Sequence, residues 1–172
     1  MEKLLFSGAD WLSVTENNGY GLLPIPHPRD DEIKALILRW IALDVASRQQ
    51  TAAAIKEDQR FTLLAYSERM ASRAVREKNV ELVFLGLLAL GLDGWRNDWR
   101  DNAALLCLHY DAAQKVGAQP DAVFARAAGL LSDKVATALR GFLRRSSEDK
   151  SLDAMGYEEG RDDDGFRYRR TW

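Results

Sequence analysis

The sequence predicts an all-α fold: about six helices in a compact bundle or as stacked helical hairpins, around a buried central helix, with an extended aromatic-basic arm at the C-terminal end. Three observations carry that expectation. Residues 80–92 read VELVFLGLLALGL, with Glu81 the one charge and apolar residues on every side after it. A surface helix shows a single apolar stripe, so a helix that is apolar all round belongs at the centre. The segments on either side repeat apolar residues at three- and four-residue spacing, the period of an amphipathic helix. Between them stand residues that start and stop helices, among them Gly94, Gly117, Pro120 and Ser132.

Bulk properties narrow the class. A chain of 172 residues fits one domain, long enough to bury roughly 70% of its unfolded surface. It is 47% hydrophobic and 29% charged, the composition of a soluble globular protein. With 24 Lys+Arg against 26 Asp+Glu the formal charge is −2, which gives no global attraction to nucleic acid or to an anionic membrane. Cys107 is the one thiol, so no internal disulfide forms, which suits a reducing compartment. The central apolar run is 13 residues, short of the ~20 that span a bilayer. The opening MEKLLFSGADW has too short an apolar run for a signal peptide. The expectation is a cytoplasmic protein without membrane attachment.

Residues 1–29 read as an irregular N-terminal arm. Asn17, Asn18, Gly19 and Gly21 are turn residues, and Leu22-Leu23-Pro24-Ile25-Pro26-His27-Pro28 alternates proline in an extended manner. Its apolar residues favour packing on the domain over service as a proline-rich ligand. The helical domain is expected over residues 30–145. Asp30 and Asp31 suit a helix start, followed by Ile33, Leu36, Ile37, Trp40 and Ile41 at helical spacing. Asp44 falls four residues after Trp40, which places it on or near the same face and requires a partner for its carboxylate. A second helix spans about 58–77, with Leu63, Tyr66, Met70 and Ala74 inward and Arg69, Arg73, Arg76 and Lys78 on the wet face. Asn79 caps the central helix. A fourth helix runs to about Val116, a fifth opens at Pro120-Asp121, and a sixth is capped by Ser132-Asp133.

Two stretches stand apart. Trp95-Arg96-Asn97-Asp98-Trp99-Arg100 sets two tryptophans and two arginines four residues apart; in a helix each pair shares a face, and both residue types anchor protein interfaces. The alternative is that the tryptophans close the core and the arginines bind carboxylates or helix ends. The tail, 146–172, carries eight acidic residues between Glu148 and Asp164, then becomes aromatic and basic at Phe166, Arg167, Tyr168, Arg169, Arg170 and Trp172. A disordered tail is poor in aromatics. This one is expected to dock, on its own domain, on a second copy, or on a partner, and the alternation in 166–170 suggests a strand or extended arm.

Little enzymatic chemistry is legible. His27, His109 and Cys107 are too few for a structural zinc site, and no HExxH or ExxH pattern occurs. Asp162-Asp163-Asp164-Gly165 lacks the alternation and distal glutamate of a calcium loop. Cys107 reads as a small core residue and His109 as a hydrogen-bonded group at a helix surface. Nucleophile elbows, phosphate-cradling loops and dinucleotide fingerprints do not occur. The expected function is a non-enzymatic protein-binding module, of inhibitor, neutralising or adaptor type. No cofactor or metal is expected; the partner is another protein or a second copy of the chain. Candidate binding residues are Trp95, Arg96, Trp99, Arg100, Phe166, Arg167, Tyr168, Arg169, Arg170 and Trp172. One alternative is a small carboxylate-based enzyme or ligand-binding protein using Asp44 and Glu68, with Glu57 and Asp58 nearby. The other is single-stranded nucleic-acid binding through the arginines and aromatics of the tail.

Overall fold

The computed structural model describes residues 29–55, 57–92, 99–147 and 149–150, and the backbone of 157–161 and 167–169. Side chains are described for 29–55, 59, 62–92, 105–147, 149 and 150. The elements are α1 (Asp30–Ile41), α2 (Val45–Ala53), α3 (Glu57–Glu77), α4 (Val80–Leu92), α5 (Trp99–Lys115), α6 (Pro120–Ala128), α7 (Asp133–Leu143), β1 (Tyr157–Arg161) and β2 (Arg167–Arg169). The fold class is all-α. No helix among the described residues is long and apolar enough to cross a membrane.

α4 is the hub. Every residue from Leu82 to Leu92 is buried, and α1, α3, α5 and α6 all pack on it. Its start is set by Asn79, whose Oδ1 accepts the Glu81 N–H at 3.0 Å. Just before it Lys78 turns the chain with φ 52°, and Asn79 N–H donates back to the Ala74 carbonyl at 3.0 Å. Around the hub, Ile33, Leu36, Ile37 and Trp40 of α1 and Leu63, Tyr66, Met70 and Ala74 of α3 point inward as their spacing predicts. Tyr110, Phe124 and Phe142 join α5, α6 and α7, with Phe124 and Phe142 stacked at 5.6 Å and Tyr110 edge-on to both. Such ring pairs contribute about 0.5–1.5 kcal/mol beyond burial.

Three expectations are corrected. The helices number seven among the described residues, because the chain breaks at Ala42–Asp44 and restarts as α2. Asp44 is extended (φ −67°, ψ 167°), exposed, and accepts the Ser47 N–H at 2.8 Å. It is the N-cap of a new helix rather than a group on Trp40's face; a short acceptor side chain satisfies an orphan amide better at a cap than inside a helix. Second, Arg69 is not on the wet face. It is buried, and its Nε and Nη2 donate to Asp30 Oδ1 at 3.1 and 2.8 Å, with Asp30 itself 3% exposed. Third, His109 lies in the core and not at a helix surface.

β1 and β2 pair antiparallel, Tyr157 opposite Arg169 and Arg161 opposite Arg167, with an irregular register between those pairs. The arm thus carries strand, as the alternation suggested. Before it, Lys150 is buried; its Nζ donates to the Leu143 carbonyl at 3.2 Å and sits 4.5 Å from the Tyr110 ring centroid. The packed helical body therefore reaches Lys150.

Candidate functional site

The break at Asp44 has a consequence on the surface. α2 leaves the line of α1, and the α6–α7 turn faces it across the end of α4. Between them lies a groove of about 330 Å³. Trp40 of α1, Val45, Arg48, Gln49, Ala52 and Ala53 of α2, Gly91 and Leu92 of α4, and Gly129 to Asp133 line it. Gly91 allows the close approach that shapes its floor: a Cβ there would stand 2.4 Å from Leu131 Cδ1. The α6–α7 wall is held by helix-end bonds, Leu130 N–H to Ala127 O at 3.0 Å and Leu131 N–H to Ala128 O at 3.3 Å. Ser132 Oγ then accepts the Val135 N–H at 3.4 Å and starts α7.

The groove lining mixes apolar and polar surface in nearly equal parts, with polar groups from both walls. Arg48 is the cation among its lining residues. Its backbone carbonyl accepts the Trp40 indole N–H at 3.0 Å, and its guanidinium carbon lies 5.9 Å from the Trp40 ring centroid. Nη1 donates to the Leu43 carbonyl at 2.6 Å, near the end of α1. Nε is buried and has no partner among the described residues. Asp133 lies in the first turn of α7 on the other wall.

A buried Ser–His contact lies elsewhere, between α3 and α5. His109 Nδ1 lies 2.7 Å from the Leu105 carbonyl, so that nitrogen is the donor. Nε2 lies 3.2 Å from both Ser67 Oγ and Ser67 O. The Ser67 hydroxyl donates to the Gly86 carbonyl at 2.7 Å. Its proton is therefore spent on α4, and Ser67 and His109 are each 0% exposed. The cluster joins α3, α4 and α5; it is not an accessible nucleophile and base. Burial holds the His109 imidazole down to about 4, partly opposed by its bonds to Leu105 and Ser67. Burial likewise pushes the Cys107 thiol up to about 12, as expected of an inert core cysteine.

The predicted site residues that are described fall on several elements. Asp44 caps α2, and its carboxyl is held below the usual range by the Ser47 N–H and hydroxyl, with Arg48 adding a smaller effect. A close second carboxylate would act in the opposite direction. Glu68 is half-buried on α3 and already engaged. Among the described residues no three His, Cys, Asp or Glu side chains gather as a metal site. Trp99 and Arg100 open α5. Arg167, Tyr168 and Arg169 form β2. Trp95, Arg96, Phe166, Arg170 and Trp172 lie outside the described residues, as do residues 1–28, the 162–165 acidic run and the side chains of Glu57 and Asp58.

The groove itself was missed. The signal for it was present as Asp44-Val45-Ala46-Ser47, a cap acceptor three residues ahead of its donor, which marks a new helix and hence a change of direction. No family model, curated protein or solved structure matches this chain.

Proposed function

We propose that this chain is a non-enzymatic, helical protein-binding module, and that the groove seats a segment of its partner. Val45 carries the reading. It lines the groove and yet is 59% exposed. A small ligand enclosed by the groove leaves Val45 wet. A polypeptide that enters the groove and continues over α2 covers both, and burying the exposed part of the valine side chain is worth about 1 kcal/mol. A groove that presents both apolar and polar surface suits an amphipathic segment.

The Trp/Arg stretch supplies further candidate contacts. Leu92 lines the groove, and Trp95 follows three residues later, within about 11 Å Cα to Cα by chain length alone. Trp95, Arg96, Trp99 and Arg100 are the candidate rim contacts. In the arm, each of the two strands has one strand neighbour among the described residues. Such a ribbon is marginal alone and accepts a further strand. Phe166 to Trp172 are then the second contact region, with a partner or a second copy.

Capture from a lysate of the source cells tests the reading, with wild type, Val45→Glu and a chain stopped at Leu152 as baits. Glu at the first position of α2 is compatible with the helix dipole, so circular dichroism should be unchanged. The expected result is a protein held by wild type and lost by Val45→Glu. A protein held by Val45→Glu and lost only by the shortened chain would move the site to the arm and sink the groove reading.

A further inference from the structure

The groove's chemistry goes further than its shape. The geometry points to a partner segment that lays one bulky apolar side chain in the groove and sets one carboxylate against Arg48. This rests on the groove reading above and specifies what the partner presents.

Arg48 differs from the other arginines with described ion pairing. Arg69 and Arg73 pair with Asp30 at 2.8 and 3.4 Å, Arg73 also with Glu77 at 2.7 Å, and Arg126 with Glu81 at 2.7 Å. Arg48 forms no such ion pair among the described residues; it has carbonyl contacts through Nη1 and a buried Nε without a partner. The nearby carboxylate, Asp44, is committed to the Ser47 amide at 2.8 Å. Nε is closed to solvent, so a docking carboxylate meets the guanidinium from its Nη side, and the acceptor that matches that end of the fork is a carboxylate. The Trp40 indole bond to the Arg48 carbonyl fixes its backbone, and the Nη1 bond to the Leu43 carbonyl holds the guanidinium, so the acceptor's position is set before the partner arrives.

The second wall restricts the charge pattern. Asp133 lines the same groove, so a run of acidic residues meets repulsion there. The matching segment carries a single carboxylate beside its apolar anchor, with neutral or basic neighbours. The apolar lining, Trp40, Val45, Ala52, Leu92, Leu130 and Leu131, supplies the affinity; Arg48 supplies the register.

The probe is a dodecapeptide library displayed on phage and selected on the full-length protein. Enriched peptides are then synthesised with their Asp or Glu intact or changed to Asn or Gln, and titrated against wild type, Arg48→Gln and Arg48→Lys. Circular dichroism confirms that each variant is folded; Arg48→Lys keeps a donor for Leu43 should Arg48→Gln be unstable. The expected result is an apolar-plus-carboxylate motif whose amide exchange weakens binding to wild type about tenfold or more. That discrimination should fall to within about twofold on Arg48→Gln and be reduced on Arg48→Lys. Peptides that bind in a Val45-dependent way but lack an acidic residue, or that keep the full amide penalty on Arg48→Gln, overturn this inference and leave the groove reading standing. Peptides indifferent to Val45→Glu, or no enrichment, overturn both. Peptide binding that rises tenfold when Trp11 and Leu12 are changed to Ser in the full chain would assign the groove to its own Asp10-Trp11-Leu12 segment, and overturns the partner assignment.

Discussion

His109 has Nδ1 on the Leu105 carbonyl and Nε2 packed 3.2 Å from Ser67, in a site closed to water. Its neutral form is the one the core accepts, because burial holds its pKa down to about 4 from an ordinary 6.5. Between those values the unfolded chain takes a proton that the folded chain refuses. The contribution is thus complete above about pH 6.5 and is lost as pH falls toward 4, by about 3 kcal/mol in all. Urea unfolding from pH 7 to 4.5 should show a falling midpoint in wild type. The slope should be shallower in His109→Gln, which leaves the carboxylate contributions in place. Equal slopes would remove His109 from the account. Tyr66 presents a related case: its hydroxyl is buried without a partner among the described residues, and burial drives its pKa upward.

Between elements, the Asp30–Arg69 pair ties the start of α1 to the middle of α3, and Arg73 shares the same carboxylate at 3.4 Å. Both partners of the short contact are nearly dry. Removing Arg69 takes the closer cation from a nearly dry carboxylate and leaves the longer Arg73 contact, so Arg69→Met should lose about 3 kcal/mol. Replacing both, as Asp30→Leu with Arg69→Met, should recover most of that, since Arg73 keeps Glu77 at 2.7 Å. Urea denaturation of the single and double variants decides; a double variant as weak as the single one would show that the pair itself stabilises the junction. Gly86 marks a second junction. A Cβ there would meet His109 Nε2 at 2.5 Å and Met70 Cβ at 3.2 Å. The ring cannot yield without straining its Nδ1 bond to the Leu105 carbonyl in a fully buried site, so Gly86→Ala should cost about 1–3 kcal/mol despite its better helix propensity.

The groove belongs to no single element. It exists because α2 diverges at Asp44 while the α6–α7 turn meets α4 at Gly91. Gly91→Ala would drive its methyl toward Leu131, at 2.4 and 2.6 Å from the two terminal carbons. Those are the free ends of a flexible side chain that itself lines the groove, so the expected outcome is a repositioned Leu131. Stability should change by about 1 kcal/mol or less, while affinity for a groove-dependent peptide falls several-fold. Calorimetry on the variant, alongside thermal unfolding, separates the two. A large stability loss with unchanged affinity would mean that Leu131 shapes the core and not the groove.

The sequence by itself determined the helical class, the bounds of α4, and the inward faces of α1 and α3. Each follows from periodicity or from unbroken apolarity, which are properties of a segment alone. Ser132, Asn79 and Pro120 likewise announced their helix starts, because capping is local. The tertiary structure alone decided the charged and polar interior. Arg69 lies among arginines and reads as wet; what makes it dry is a carboxylate 39 residues away on another helix. His109 reads as a surface group until Ser67 and Gly86 surround it. The groove is the same kind of fact, since Trp40, Arg48, Leu92 and Leu131 are separated by long stretches of chain. Their juxtaposition depends on the angle at which α2 leaves α1 and on the missing side chain at Gly91, neither of which a one-dimensional pattern encodes.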